Sequence, residues 1–152
     1  MTLDRRTFLR ITAATPLAMG LPAAVLASTP PIYAERGVAI DGTDVLSYFD
    51  LGEPIEGNPD TALDWNGAAW HFANAENRDR FAAAPETYAP QFGGYCAYAV
   101  SEGYTASTVP HAWKIVDGKL YLNYSRRIQR RWERDIPGRI AAGNANRPSV
   151  LG

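Results

Sequence analysis

Cys96 is the only cysteine in the 152-residue chain, and that solitude sets the chemistry open to it. One thiol cannot close a disulfide within a single copy, and it rules out a Cys-x-x-Cys redox pair or a four-cysteine zinc site there. Three roles remain: a soft-metal ligand, a nucleophile, or a small buried hydrophobe. A mixed metal site would draw on His71, His111, the tyrosines and the carboxylates; Met1 and Met19 fall in the N-terminal leader. A shallow site with Cys96 as soft ligand, His71 as first partner and His111 as third candidate suits copper(I) better than structural zinc, which wants four closed ligands. Both histidines must then come within about 5 Å of the sulfur, given metal–ligand bonds of roughly 2.0–2.3 Å. A Cys/His nucleophilic pair is the enzymatic alternative, although the residues around Cys96 match no protease signature. Gly93-Gly94 precedes an apolar run expected to be a strand, so it is no phosphate loop.

These residues need elements to hold them. Tyr95 to Val100 reads as an apolar strand with Cys96, Tyr98 and Val100 on one face. His71 lies in a hairpin over 62–72 that turns at Asn66-Gly67, with Trp70 and Phe72 on the face opposite to it. Val38 to Ile40 predicts a short strand, and Asp41 or Thr43 a cap for a brief helix carrying Val45, Leu46 and Phe49 inward. Asn74 caps a helix from Ala75 to Ala84, and Pro85 opens a second short one carrying Tyr88. Asp117-Gly118 sets a hairpin that pairs Val116 with Lys119, Ile115 with Leu120 and Trp113 with Leu122 on one core-facing side. Ser125 caps a helix from Arg126 to about Asp135 with Ile128, Trp132 and Ile136 as its apolar stripe, broken by Pro137-Gly138, after which Arg139 to Ala145 adds one more helical turn. This order predicts an α+β fold, a small single domain with antiparallel hairpins packed against short helices.

The N-terminus reads as an address. Asp4-Arg5-Arg6-Thr7-Phe8-Leu9-Arg10 is followed by an uncharged run from Ile11 to Leu26 and by Val25-Leu26-Ala27, a twin-arginine signal peptide over 1–27. Pro16, Gly20 and Pro22 interrupt a run shorter than the ~20 residues a span requires, so cleavage is expected over anchoring, with no transmembrane segment afterwards. Residues 28–37 then form a tether, 38–148 the domain and 149–152 a tail. The expected location is the periplasm or another exported compartment. Without the leader the chain holds 12 basic and 15 acidic residues, net −3. That sign and the export signal argue against nucleic acid. From Glu35 to Glu102 twelve acids face Arg36, Arg78 and Arg80; from Gly103 onward nine basic residues face Asp117, Glu133 and Asp135. Arg126, Arg127, Arg130, Arg131 and Arg134 crowd one helix, which is either a solvated face or the surface for an acidic partner or an anionic membrane.

Five stretches together carry a family likeness: D-G-T-D-V-L-S-Y-F from Asp41, W-H-F-A-N-A-E-N-R-D-R-F from Trp70, P-E-T-Y-A-P-Q-F-G-G-Y-C-A-Y-A-V from Pro85, W-K-I-V-D-G-K-L-Y-L-N-Y from Trp113, and the helix around Ile128, Trp132 and Asp135. Over about 39–145 the chain resembles the exported, stand-alone YHS domain-containing (seleno)proteins of bacteria. The resemblance implies a small α+β module of the kind found beside metal-handling proteins, with metal binding, often copper, as the implied role. Cys96 matches the motif cysteine, and His71 falls where several relatives also have histidine. Val109 stands before Pro110 where relatives often have Asp, and Arg147 stands before Pro148 in place of a common Trp. The expectation is a non-enzymatic module that binds a copper-like soft metal ion through Cys96, with the metal or a metal-handling protein as partner. Its alternatives are a structural or interaction domain with an inert cysteine, and a thiol-dependent enzyme.

Overall fold

The computed structural model describes residues 28–152; the expected signal peptide over 1–27 lies outside the described residues. The fold is α+β. Strands β1 (Ala34–Glu35) and β2 (Val38–Ala39) lead through a 3-10 turn to β3 (Thr43–Asp44) and helix α1 (Val45–Asp50). Strands β4 (Ile55–Glu56), β5 (Asn58–Trp65) and β6 (Ala68–Phe72) follow, then helices α2 (Ala75–Ala83), α3 (Pro85–Tyr88) and α4 (Ala97–Ser101). The chain closes with β7 (Trp113–Val116), β8 (Lys119–Leu122), α5 (Arg126–Trp132), a 3-10 turn (Glu133–Asp135) and α6 (Ile136–Leu151). The largest sheet has the order β1-β2-β6-β5, while β3 pairs with β4 and β7 with β8. The pairs are antiparallel except β2 with β6, a parallel contact that the hairpin reading did not anticipate.

Both expected hairpins form, because Asn-Gly and Asp-Gly supply the positive φ that a two-residue turn demands. Asn66 and Gly67 sit at φ 50 and 85, Asp117 and Gly118 at 50 and 72. Trp113 pairs with Leu122, Ile115 with Leu120 and Val116 with Lys119. β8 differs from a one-faced strand, since Leu120 and Leu122 enter one core while Tyr121, 4 % exposed, enters another. The first core gathers Trp70, Phe72 and Phe81 around Val45, Leu46 and Tyr48. The second holds Phe92, Tyr95, Ala97, Val100, Tyr121 and Trp132, and α5 and α6 close it.

Four expectations are corrected. The apolar run after Cys96 is a helix, with Val100 N–H donating to the Cys96 carbonyl. Short apolar runs fit strand or buried helix equally, and this one is buried at Ala97, Ala99 and Val100, with Tyr98 half-buried on the remaining side. The cap of α1 is Asp44, whose carboxyl accepts from Leu46 N–H, and not Asp41 or Thr43. The chain breaks at Asp135 as expected, but Pro137 then sits in the first turn of a sixteen-residue α6 in place of the single turn expected over 139–145: Asp135 caps Gly138 N–H, and proline at the first turn has no N–H to waste. The helix then runs through Pro148 into the expected tail. The tether, finally, is tied down. Tyr33 N–H donates to the Gly93 carbonyl at 2.8 Å, Tyr95 hydroxyl to the Pro30 carbonyl at 3.0 Å, and Ile32 is buried.

Candidate functional site

Cys96 stands at the N-cap of α4 and is 1 % exposed. Its sulfur accepts from Tyr124 N–H at 3.3 Å and donates to Asn123 Oδ1 at 3.7 Å. The same oxygen accepts from Tyr98 N–H at 3.2 Å, which fixes the orientation of the amide. Asn123 is itself fully buried and held by its backbone, donating to the Ala112 carbonyl and accepting from Val109 N–H. Its Nδ2 has no partner among the described residues. Cys96 N–H completes the arrangement by donating to the Ala106 carbonyl at 3.0 Å. Cys96 therefore joins three segments: its thiol ties the turn into α4 to the exit from β8, and its backbone N–H ties that turn to the loop before β7.

Burial pushes the Cys96 thiol above its ordinary value of 9.0, and the backbone N–H groups of Ala99, Tyr124 and Tyr98 pull it only partly back. At neutral pH the group is a protonated, enclosed thiol, the opposite of a reactive cysteine. An aromatic disulfide reagent should label it about a hundredfold or more slowly in the native protein than in the unfolded chain, because labelling waits for local opening. Equal rates would show that the thiol is open. The raised value also gives a sign for pH. Cys96's contribution to stability is fully present below 9.0 and is lost as pH rises through its folded value, so Cys96→Ser, which does not titrate there, should flatten the onset of alkaline unfolding.

His71 lies elsewhere. It is half-buried on β6, and its Nδ1 faces Gly42, where an added Cβ would stand only 3.2 Å away. Its ring borders a hollow with Glu35, Asp41, Glu56 and Gly57. His111 is exposed in the loop before β7, between Ala112 and Pro110, whose carbonyl accepts from the Tyr48 hydroxyl at 2.9 Å. Among the described residues no group of three or more His, Cys, Asp and Glu is placed to share a metal ion. The expected set of Cys96, His71 and His111 is thus not brought together. The side-chain polar group that hydrogen-bonds the sulfur is an asparagine amide whose oxygen is already engaged by Tyr98 N–H, so these residues do not fit a soft-metal centre as they stand.

The second candidate surface is the arginine helix. Ser125 caps α5 by accepting from Ile128 N–H, and Trp132, fully buried, turns the helix so that Arg126, Arg127, Arg130 and Arg131 face outward, with Arg134 just beyond. The ion pairs found among the described residues are Arg78–Asp79, Arg80–Asp50, Lys114–Glu133 and Arg139–Glu102, so none engages these five cations. Tyr124, 55 % exposed, forms a shallow hollow with Ser125, Arg127, Ile128 and Arg131. A second hollow begins on the other side of Arg131, with Arg134, Tyr98 and Arg139, whose guanidinium lies 4.4 Å from the Tyr98 ring centroid. Asn123 and Tyr124 are the residues the sequence reading missed. They follow a strand, where Asn and Tyr ordinarily signal nothing, and Asn123 meets Cys96 across 27 positions.

The fold and these two places define a small α+β domain with a sealed, buried thiol and one arginine–tyrosine face. Compared with known proteins, the chain matches no family model, no curated protein and no solved structure. The YHS likeness accordingly rests on the motifs quoted above.

Proposed function

We propose that the chain is an exported, YHS-like, non-enzymatic interaction module that docks an acidic partner through α5, with Cys96 serving the core. The observation that carries this reading is the band of five exposed arginines without an ion-pair partner among the described residues, flanking exposed Tyr124. Arginine and tyrosine combine charge, planar hydrogen bonding and rigid contact area, which is why they concentrate at binding hot spots. Four like charges on the seven-residue α5, with Arg134 in the turn just after it, repel one another until an acidic surface covers them. Export through the twin-arginine route is part of the proposal and rests on the leader.

The test uses a tyrosine-bearing polyglutamate peptide as probe and fluorescence anisotropy as readout. Binding should weaken steeply with added salt, and Arg127→Glu with Arg131→Glu should reduce it about tenfold or more. Both positions are exposed, so the variant should keep its fold. Equal binding by the variant would overturn the proposal. The soft-metal alternative makes its own forecast, since it requires a rearrangement that carries His71 or His111 to the sulfur. Anaerobic titration of the reduced protein should show no copper(I) binding that depends on Cys96. Stoichiometric binding lost in Cys96→Ala would reinstate the metal reading.

A further inference from the structure

We infer that the acidic partner of the arginine face is a second copy of this chain, which offers the hollow bordered by Glu35, Asp41 and Glu56. The inference rests on the reading of α5 as a docking face and goes further by naming what docks there.

The hollow lies where β1, β2 and β6 meet the turn before β3, and Glu35, Asp41 and Glu56 are exposed around it. None of the three joins an ion pair among the described residues. The carboxyls also work against each other: partial burial and the charge of Glu35 both push Asp41 upward. Arg36 and His71 share the rim, so the hollow keeps an acidic excess with Arg36 as the opposing cation. The backbone holds these groups in place at a cost. Arg36, Ile40 and Asp41 sit at φ 52, 50 and 50, and for β-branched Ile40 that region is an outlier.

One chain therefore carries two surfaces with a charge excess of opposite sign, Arg36 sitting beside the acids and Glu102 and Asp135 beside Arg131 and Arg134. They lie on different parts of the fold, the acids beside the first core and the arginines on the helix that closes the second, and no ion pair joins them within the chain among the described residues. Each contact with another copy covers one arginine face and one acidic hollow, in a fixed stoichiometry. The contact is head-to-tail: α5 of one copy enters the hollow of the next and leaves its own hollow open. Such heterologous contacts build rings or chains instead of closed two-fold dimers. Since the groups are exposed, the association is carried by charge and is sensitive to screening.

Sedimentation equilibrium of the purified protein at about 10 mM and about 0.5 M salt tests this, because screening shrinks from roughly 30 Å to a few ångströms over that range. At low salt the weight-average mass should rise about twofold or more with concentration, and at high salt the protein should be monomeric. Arg127→Glu with Arg131→Glu should abolish the rise, as should Glu35→Lys with Glu56→Lys, and mixing the two variants should restore it. Glu76→Lys with Glu86→Lys, an equal change in net charge elsewhere on the surface, should leave it intact. A low-salt monomer, or equal loss in the Glu76/Glu86 control, would overturn the inference. If the wild type stays monomeric while the polyglutamate peptide still binds in an arginine-dependent way, the second copy is excluded as partner and the docking face stands. If peptide binding ignores the arginines, both readings fall together.

Discussion

Trp132→Ala should lower folding stability by about 3–5 kcal/mol, the largest single loss expected in this chain, read by urea unfolding at constant m-value. The indole is fully buried, its ring centroid 5.2 Å from that of Tyr121, within the core that includes Phe92, Ala97 and Val100. α5 has seven residues, too few to be stable without that anchor. Removing the indole therefore opens a cavity and frees the arginine face together. Trp132→Phe separates the contributions. The indole N–H has no partner among the described residues, so phenylalanine gives up ring area but also removes an unsatisfied donor. Its cost should be no more than about 1.5 kcal/mol. A loss below about 1 kcal/mol in Trp132→Ala would mean that α5 is not held by this core.

Asp44→Ala should cost about 2–4 kcal/mol, from the loss of a helix cap and of two further hydrogen bonds at one fully buried side chain. Oδ1 accepts from Leu46 N–H at 2.9 Å; Oδ2 accepts from Ala73 N–H at 2.9 Å and from Asn77 Nδ2 at 2.7 Å. A single carboxyl thus ties the start of α1 to the end of β6 and the first turn of α2. Asp44→Asn should fare little better, because an amide cannot present acceptors on both sides: its NH₂ would face either the cap donor or the two others. Coupling is the sharper measurement. In a double-mutant cycle Asp44→Ala and Asn77→Ala should be non-additive by about 1 kcal/mol. Additive losses would show that the bond to Asn77 contributes nothing.

Cys96 shows how far residue type alone carries. Its uniqueness excluded disulfides and thiol pairs within one copy, and its apolar surroundings already favoured burial. Whether any ligand stood near it depended on contacts across 27 and 28 positions to Asn123 and Tyr124, which no local pattern encodes. Helix or strand for Ala97 to Val100 was undecidable for the same reason. A five-residue helix has too few turns to show periodicity, and packing at Ala97, Ala99, Val100 and Ser101 overrode the alternation.

The sequence by itself determined the parts governed by local stereochemistry. Asn-Gly and Asp-Gly turns fixed both hairpins and the register of β7 with β8, and side-chain caps at Asn74 and Ser125 started α2 and α5. The α+β class followed from the order of those elements, and the arginine-rich helix from composition and an apolar stripe recurring every four residues. Only the tertiary structure decided what each element faces. It split the core across β8, pinned the segment before β1 against Gly93, and made Asp44 a junction. It also set His71 among carboxyls and Cys96 against an amide, placing the proposed chemistry on two charged surfaces. The physical reason is range. Turn and cap preferences act over two to four residues, whereas burial and hydrogen-bond partnership are settled by residues that only folding brings together.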